Sequence, residues 1–234
     1  MVLIIISVLL AIVAVPLATQ VEQRRAEETQ KYLESAKDAL YGYAAAHGRL
    51  PCPATAASAG QEAPVGGGAC ATLVGFLPAV TLGMAPVDAS GFATDAWVDG
   101  TTARRIRYAV SDVPAVIVPP AVIATPALTT TDGIRTATMM SVAATTHLYV
   151  CATGLTAGPP SANCGAMTVL SQQAPTVLFS LGKNNGNNSI DEANNQNNDK
   201  VFSSGTPDAT FDDLVTWMSL NTLFDRMGRA GKLP

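Results

Sequence analysis

The chain opens on a run with no polar side. Between Met1 and Thr19 only Ser7 and Thr19 carry clearly polar side chains, and no charge stands before Glu22. A helix drawn through it is apolar all round, so it needs lipid or a large core on every face. The pattern then changes with no turn between. In VEQRRAEETQKYLESAKDALYGYAAAHG, residues 21–48, Leu33, Ala36, Leu40, Ala44 and His47 fall on one helical face, while Glu27 with Lys31 and Glu34 with Lys37 are spaced for solvent-side pairs. One long helix is predicted, ended by Gly48, Pro51 and Pro53. Some 45 residues at 1.5 Å each reach roughly 65 to 70 Å, too long for an ordinary globular domain. Pro16 predicts a kink or a melted turn, because its ring lacks an N–H and crowds the carbonyl of Ile12.

Beyond the helix the period shortens to two. In RIRYAVS, Arg105 to Ser111, the apolar Ile106, Tyr108 and Val110 alternate with Arg105, Arg107 and Ala109, which predicts a half-buried strand after a turn at VDGTT, residues 98–102. Ala115 to Val118 is a second strand, kept to an edge by Pro114, Pro119 and Pro120. Thr146 to Cys151 and Thr176 to Leu181 supply two more. Ala54 to Ala71, with Glu62 its one charge, reads as a surface loop, and Thr72 to Met84, broken by Gly75 and Pro78, packs irregularly. Asp212 to Leu223 predicts a short helix capped by Asp212, with Leu214, Val215, Trp217, Met218 and Leu223 as core. Strands joined by turn-rich segments give an antiparallel sheet, and the long helix lays its stripe on one face of it. The fold class is α+β, divided into an apolar helix half at 1–21, an amphipathic half at 22–48 and a globular head at 49–234.

The composition suits an exported protein with long loops. Charged residues make up only 14%, while Gly, Pro, Thr, Ala and Asn are plentiful. The net charge of −4, with no basic run beyond Arg104, Arg105 and Arg107, leaves nucleic acid without an electrostatic footprint. The four cysteines Cys52, Cys70, Cys151 and Cys164 form no CxxC pair, and His47 and His147 lie at no metal-ligand spacing, which argues against zinc. An even set behind a membrane segment favours disulfides. Of the three connectivities the local one, Cys52 to Cys70 and Cys151 to Cys164, is the first choice; buried free thiols are the alternative. A signal peptide would need a basic start and a small-x-small site before Gln20, and the sequence shows neither. A transmembrane helix needs about 20 apolar residues, which the run just supplies. Arg24 and Arg25 would draw its far end to the cytoplasm unless a basic leader precedes Met1.

No enzyme signature is found. G-x-S-x-G, a Walker loop, G-x-G-x-x-G and H-E-x-x-H are all missing, and LGKNNG lacks the glycine and the Ser or Thr of a phosphate loop. His47 at a helix end and His147 at a strand start read as structural. The Asn-rich tract Lys183 to Lys200 reads first as a solvated loop. Its alternative is a calcium site: Asp191, Glu192 and Asp199, with Asp212 and Asp213 from downstream, offer the hard oxygens Ca²⁺ takes, although their spacing is not that of an EF-hand.

Residues 1–54, with FLPAVTLGMAPVDASGFATDAW, RRIRYAVS and the carboxyl end FDDLVTWMSLNTLFDRMGRAGKLP, resemble bacterial proteins of the type IV pilin and type II secretion pseudopilin family, with its prepilin-type cleavage and methylation domain. That resemblance implies a pilin-like fold and a single-pass anchor in the bacterial inner membrane, with the head in the periplasm or in an extracytoplasmic filament. The implied partners are membrane lipid and other pilin or pseudopilin subunits through the long helix, with no nucleic acid and no small-molecule substrate. Calcium in some pseudopilin loops is implied too. The family's basic leader, Gly, Phe and Glu do not precede the apolar run here, so a late start is expected, with a truncated copy as the alternative, and no cleavage or docking residue is carried over. A minor pilin or pseudopilin without catalytic residues is the expectation. Its rival is a periplasmic enzyme or binding protein tethered by an uncleaved helix.

Overall fold

The computed structural model describes residues 2–98, 104–112, 114–116, 122–136, 139, 142, 145–156, 162–185 and 189–233, with side chains described outside 2–18 and 114–126. Helix α1 runs Val2–His47 without interruption, about 69 Å at the standard rise. It passes through Pro16 still helical, so the melted turn expected there is not seen. Leu33, Ala36, Leu40 and Ala44 have no exposed surface, and Thr29 and Tyr41 extend the stripe. His47 departs from it: the ring is exposed, stacks on Tyr43 at 4.0 Å and approaches the Tyr43 carbonyl. Glu34 pairs with Lys37 at 2.6 Å. The helix stops at Gly48, whose φ of 67° a β-carbon would oppose and where Asp132 leaves no room for one.

The head is α+β. Its main sheet orders β1 (Val74–Phe76), β2 (Arg107–Val110), β7 (Thr176–Ser180) and β9 (Leu214–Trp217), every pair antiparallel. Strand β7 is buried on both faces. One face carries Tyr108, Val110 and Leu178 against the α1 stripe, and the other carries Ala109, Val177 and Phe179 against Phe202 and Leu148. A second sheet orders β6 (Val169–Ala174), β5 (Leu148–Ala152) and β8 (Val201–Ser204). Its β5–β8 pair is parallel, a departure from the all-antiparallel expectation. The chain between them, through β6, β7 and a helix, is long enough for such a crossover. Strands β3 (Pro114–Val116) and β4 (Val122–Pro126) form a separate two-stranded ribbon; positions 117 and 118 of the expected strand, and most of the VDGTT turn, lie outside the described residues.

Short helices α2 (Ala79–Leu82) and α3 (Gly133–Thr136) support the loops. The tail differs from the expected capped helix. Leu214–Trp217 is strand, and α5 (Leu220–Arg229) starts only after Ser219, burying Leu220, Leu223, Phe224 and Met227. The β-branched and aromatic residues Val215, Thr216 and Trp217 pack better on a pleated edge beside β7 than on a helix. Cys52 is bonded to Cys70, and Cys151 to Cys164. Beneath the first loop, Arg49 and Glu62 form a buried two-bond ion pair at 2.6 and 2.7 Å, and Glu62 also accepts the Cys52 and Gly66 N–H groups.

Candidate cation site

The Asn-rich tract is not all loop. Helix α4 (Ile190–Gln196) begins where the Ser189 hydroxyl accepts the Glu192 N–H. Ser-x-x-Glu is a helix-start signature legible in the sequence. The buried side of α4 is polar and is sewn to β8: Asn194 donates to the Ser203 hydroxyl, while Asn195 donates to the Ser203 carbonyl and accepts its N–H at 2.7 Å. Glu192, fully buried, is thereby fixed against the segment that enters β9.

Glu192, Asp212 and Asp213 each offer a carboxylate oxygen within 4.8 Å of the other two. Glu192 Oε1 accepts from the Asn184 side chain at 2.9 Å and the Asp212 N–H at 3.1 Å. Asp212 Oδ2 accepts the Asn184 N–H, and Asp213 Oδ2 accepts Asn195 Nδ2 at 2.7 Å. The other oxygens of the two aspartates, Asp212 Oδ1 and Asp213 Oδ1, are buried without a hydrogen-bond partner, as is Asn185 Oδ1 beside Asn184. Burial first, and then the charges of Glu192 and Asp212, push the Asp213 carboxyl up to about 8. Asp212 is raised as well, by burial and by Glu192. Buried carboxylate oxygens without partners are costly. A hard cation would supply what they lack. Oxygens bound to Ca²⁺ at ~2.4 Å lie at most ~4.8 Å apart, a limit this group meets, and an all-oxygen donor set with no thiol or imidazole fits calcium.

Two of the five carboxylates singled out in the sequence stand apart. Asp191 follows α4's turn away from Glu192 and accepts the Gly154 and Leu155 N–H groups. Asp199 caps the start of β8 through the Val201 N–H. Asn184 and Asn195, which orient the three acids, carried no individual signal in an Asn-rich tract. Gly182, at φ 61°, lies so close to Asp212 that any β-carbon there would strike its backbone and carboxylate.

The site is joined to α1 by the next turn of chain. Arg104 donates to the Gly182 and Lys183 carbonyls, Lys183 lies 3.6 Å from Glu22, and Glu22 accepts the Trp97 indole N–H at 2.7 Å.

His147 has a different setting. Ser111 Oγ lies 2.8 Å from its Nδ1 and the Val142 carbonyl 3.0 Å from its Nε2, so the ring donates to the carbonyl and accepts from the hydroxyl. Burial holds its pKa below the ordinary value. Ser111 and His147 are 1% and 2% exposed, and the pair links the end of β2 to the start of β5.

The chain matches no family model, no curated protein and no solved structure.

Proposed function

We propose that the chain is a membrane-anchored structural subunit of a filament of the type IV pilus or type II secretion kind, with a pilin-like head and no catalytic role. The observation that carries this reading is the division of α1. From Thr29 on, its stripe is sealed under the main sheet and α5, whereas residues 19–28 are mostly exposed, so the helix is leaving the head as it approaches the apolar run. Among the residues with described side chains no helix is long and apolar enough to cross a membrane; the run at 2–18 lies before them, and its sequence has no charge and no polar face. Such a helix is content in lipid and equally content among other apolar helices, the two settings a stored and then assembled subunit meets.

In this reading the acidic group is a structural calcium site. Glu192, Asp212 and Asp213 would hold the ion, and its chemistry there would be neutralisation of buried charge. That would fasten α4, the 182–185 turn and the entry to β9 to one another.

The test replaces Val8 or Leu9 by Asp in cells that assemble the filament, with membranes and sheared filaments analysed separately. A filament subunit loses both membrane retention and assembly, and stays unassembled when detergent-solubilised partners are supplied. A tethered enzyme or binding protein loses retention alone, and that outcome would overturn the proposal.

A further inference from the structure

Four arginines are held within the head, and three have clear acceptors. Arg49 is paired with Glu62, Arg105 donates to Asp88 at 2.8 Å, and Arg104 donates to the carbonyls of Gly182 and Lys183. Arg107 differs. It stands on β2 directly between Phe76 and Phe179 of the neighbouring strands, on the sheet face that also presents Val74, Ala109 and Val177. Its guanidinium lies 4.5 Å over the Phe76 ring and forms no hydrogen bond or ion pair among the described residues. Burial and the nearby positive charge of Arg105 both press its pKa below the ordinary value. A ring face favours a cation but satisfies none of the five N–H donors of the fork. None of the guanidinium nitrogens is among the fully buried unpartnered atoms, so the fork is open to whatever enters beside it.

What lies beside it is a cavity of about 150 Å³ lined by Val74, Arg107, Phe179, Asn195, Gln196 and Asn198. Drug-sized ligands occupy roughly 300 to 1,000 Å³, so this space admits one small group. The walls are two apolar side chains and the end of α4, and no carboxylate lines the cavity. A planar fork open on one side, backed by an aromatic ring and rimmed by amides, matches a carboxylate or phosphate bidentately.

We propose that Arg107 and the cavity at the end of α4 form a receptor for a single oxyanion group, carboxylate or phosphate. The group comes either from a small free anion or from an acidic side chain of a second copy. This inference goes beyond the filament reading and does not depend on it. Arg107 is not part of the cation site, although Asn195 borders both.

The test uses the detergent-solubilised full chain. Melting is followed as chloride is replaced by phosphate or acetate at constant ionic strength, and sedimentation is followed against protein concentration in chloride. A free anion raises the melting temperature of the wild type. An acidic group on a second copy instead appears as self-association that acetate competes away. Either response should vanish in Arg107→Gln and weaken about tenfold in Arg107→Lys, which keeps the charge and loses the fork. Arg107→Gln removes an unpaired half-buried charge, so in chloride it should melt no lower than wild type. The wild-type Arg107 side-chain N–H resonances give a readout that needs no variant, and they should shift with phosphate or acetate but not with chloride. Equal responses in wild type and Arg107→Gln, or no response of any kind in the wild type, would overturn the proposal.

Discussion

Replacing Asp213 by Asn tests the candidate cation site through a sign that ordinary packing arguments would not give. Asp213 is 1% exposed and its folded-state carboxyl titrates at about 8, against an ordinary 3.8. Between those values the unfolded chain has released the proton and the cation-free fold still holds it. Stability without cation therefore falls as pH rises from about 4 to about 8. Roughly four units at 1.36 kcal/mol each give an upper figure on the order of 5 kcal/mol. Asp213→Asn keeps the acceptor for Asn195 and replaces the orphan oxygen with a donor facing the other two carboxylates. In chelator at pH 8 the variant should be more stable than wild type by a few kcal/mol, and at pH 5 the two should nearly coincide. Calcium at 100 times its Kd should add about 2.7 kcal/mol to wild type and much less to the variant. The assay is urea unfolding at both pH values, with chelator and with Ca²⁺. If Asp213→Asn is less stable than wild type in chelator at pH 8, or responds equally to calcium, the reasoning is wrong.

Three further outcomes follow from packing. Gly182→Ala should move Asp212 and reduce the calcium-induced rise in melting temperature while leaving the α1 core intact, which hydrogen exchange of residues 29–44 checks. Leu40→Ala, in a fully buried position of the stripe, should cost about 2 to 5 kcal/mol in urea unfolding. Glu62→Ala leaves Arg49 buried without its partner and should cost about 3 to 5 kcal/mol, with substantial recovery in a double replacement of both residues by apolar side chains.

Periodicity carried the parts of the fold that a single element decides. Leu33, Ala36, Leu40 and Ala44 lie under the sheet because their spacing leaves them no other side, and Ile106, just before β2, with Tyr108 and Val110 on it, turns inward for the same reason. His47 shares the spacing but is the last residue of the helix, where its ring is exposed and stacks on Tyr43 instead of entering the core. The tail departs from the helical expectation because Leu214, Val215 and Met218 fit a helical face as well as a strand, and only hydrogen bonding to β7 decides between them. At the candidate site the acids were visible in the sequence, but their grouping was not. Glu192 and Asp213 meet only because Asn195 is tied to β8 and donates to Asp213, a long-range relation that no local spacing records. The Ser189 and Glu192 pairing was the local clue that part of the Asn-rich tract is helical. Arg107 gave no clue in sequence, since alternation places a polar residue there whether or not it finds an acceptor.

The proposed filament role requires the apolar half of α1 to meet the same half of neighbouring subunits. Leu9→Cys introduced into the full chain, in cells assembling the filament, tests it by mild oxidation, the four native cysteines being already joined in pairs. Disulfide-linked species between α1 helices are expected in the filament fraction, abolished when a second change, Val8→Asp, is added. Monomer alone in every fraction, with the filament present and oxidation shown to be complete, would contradict it.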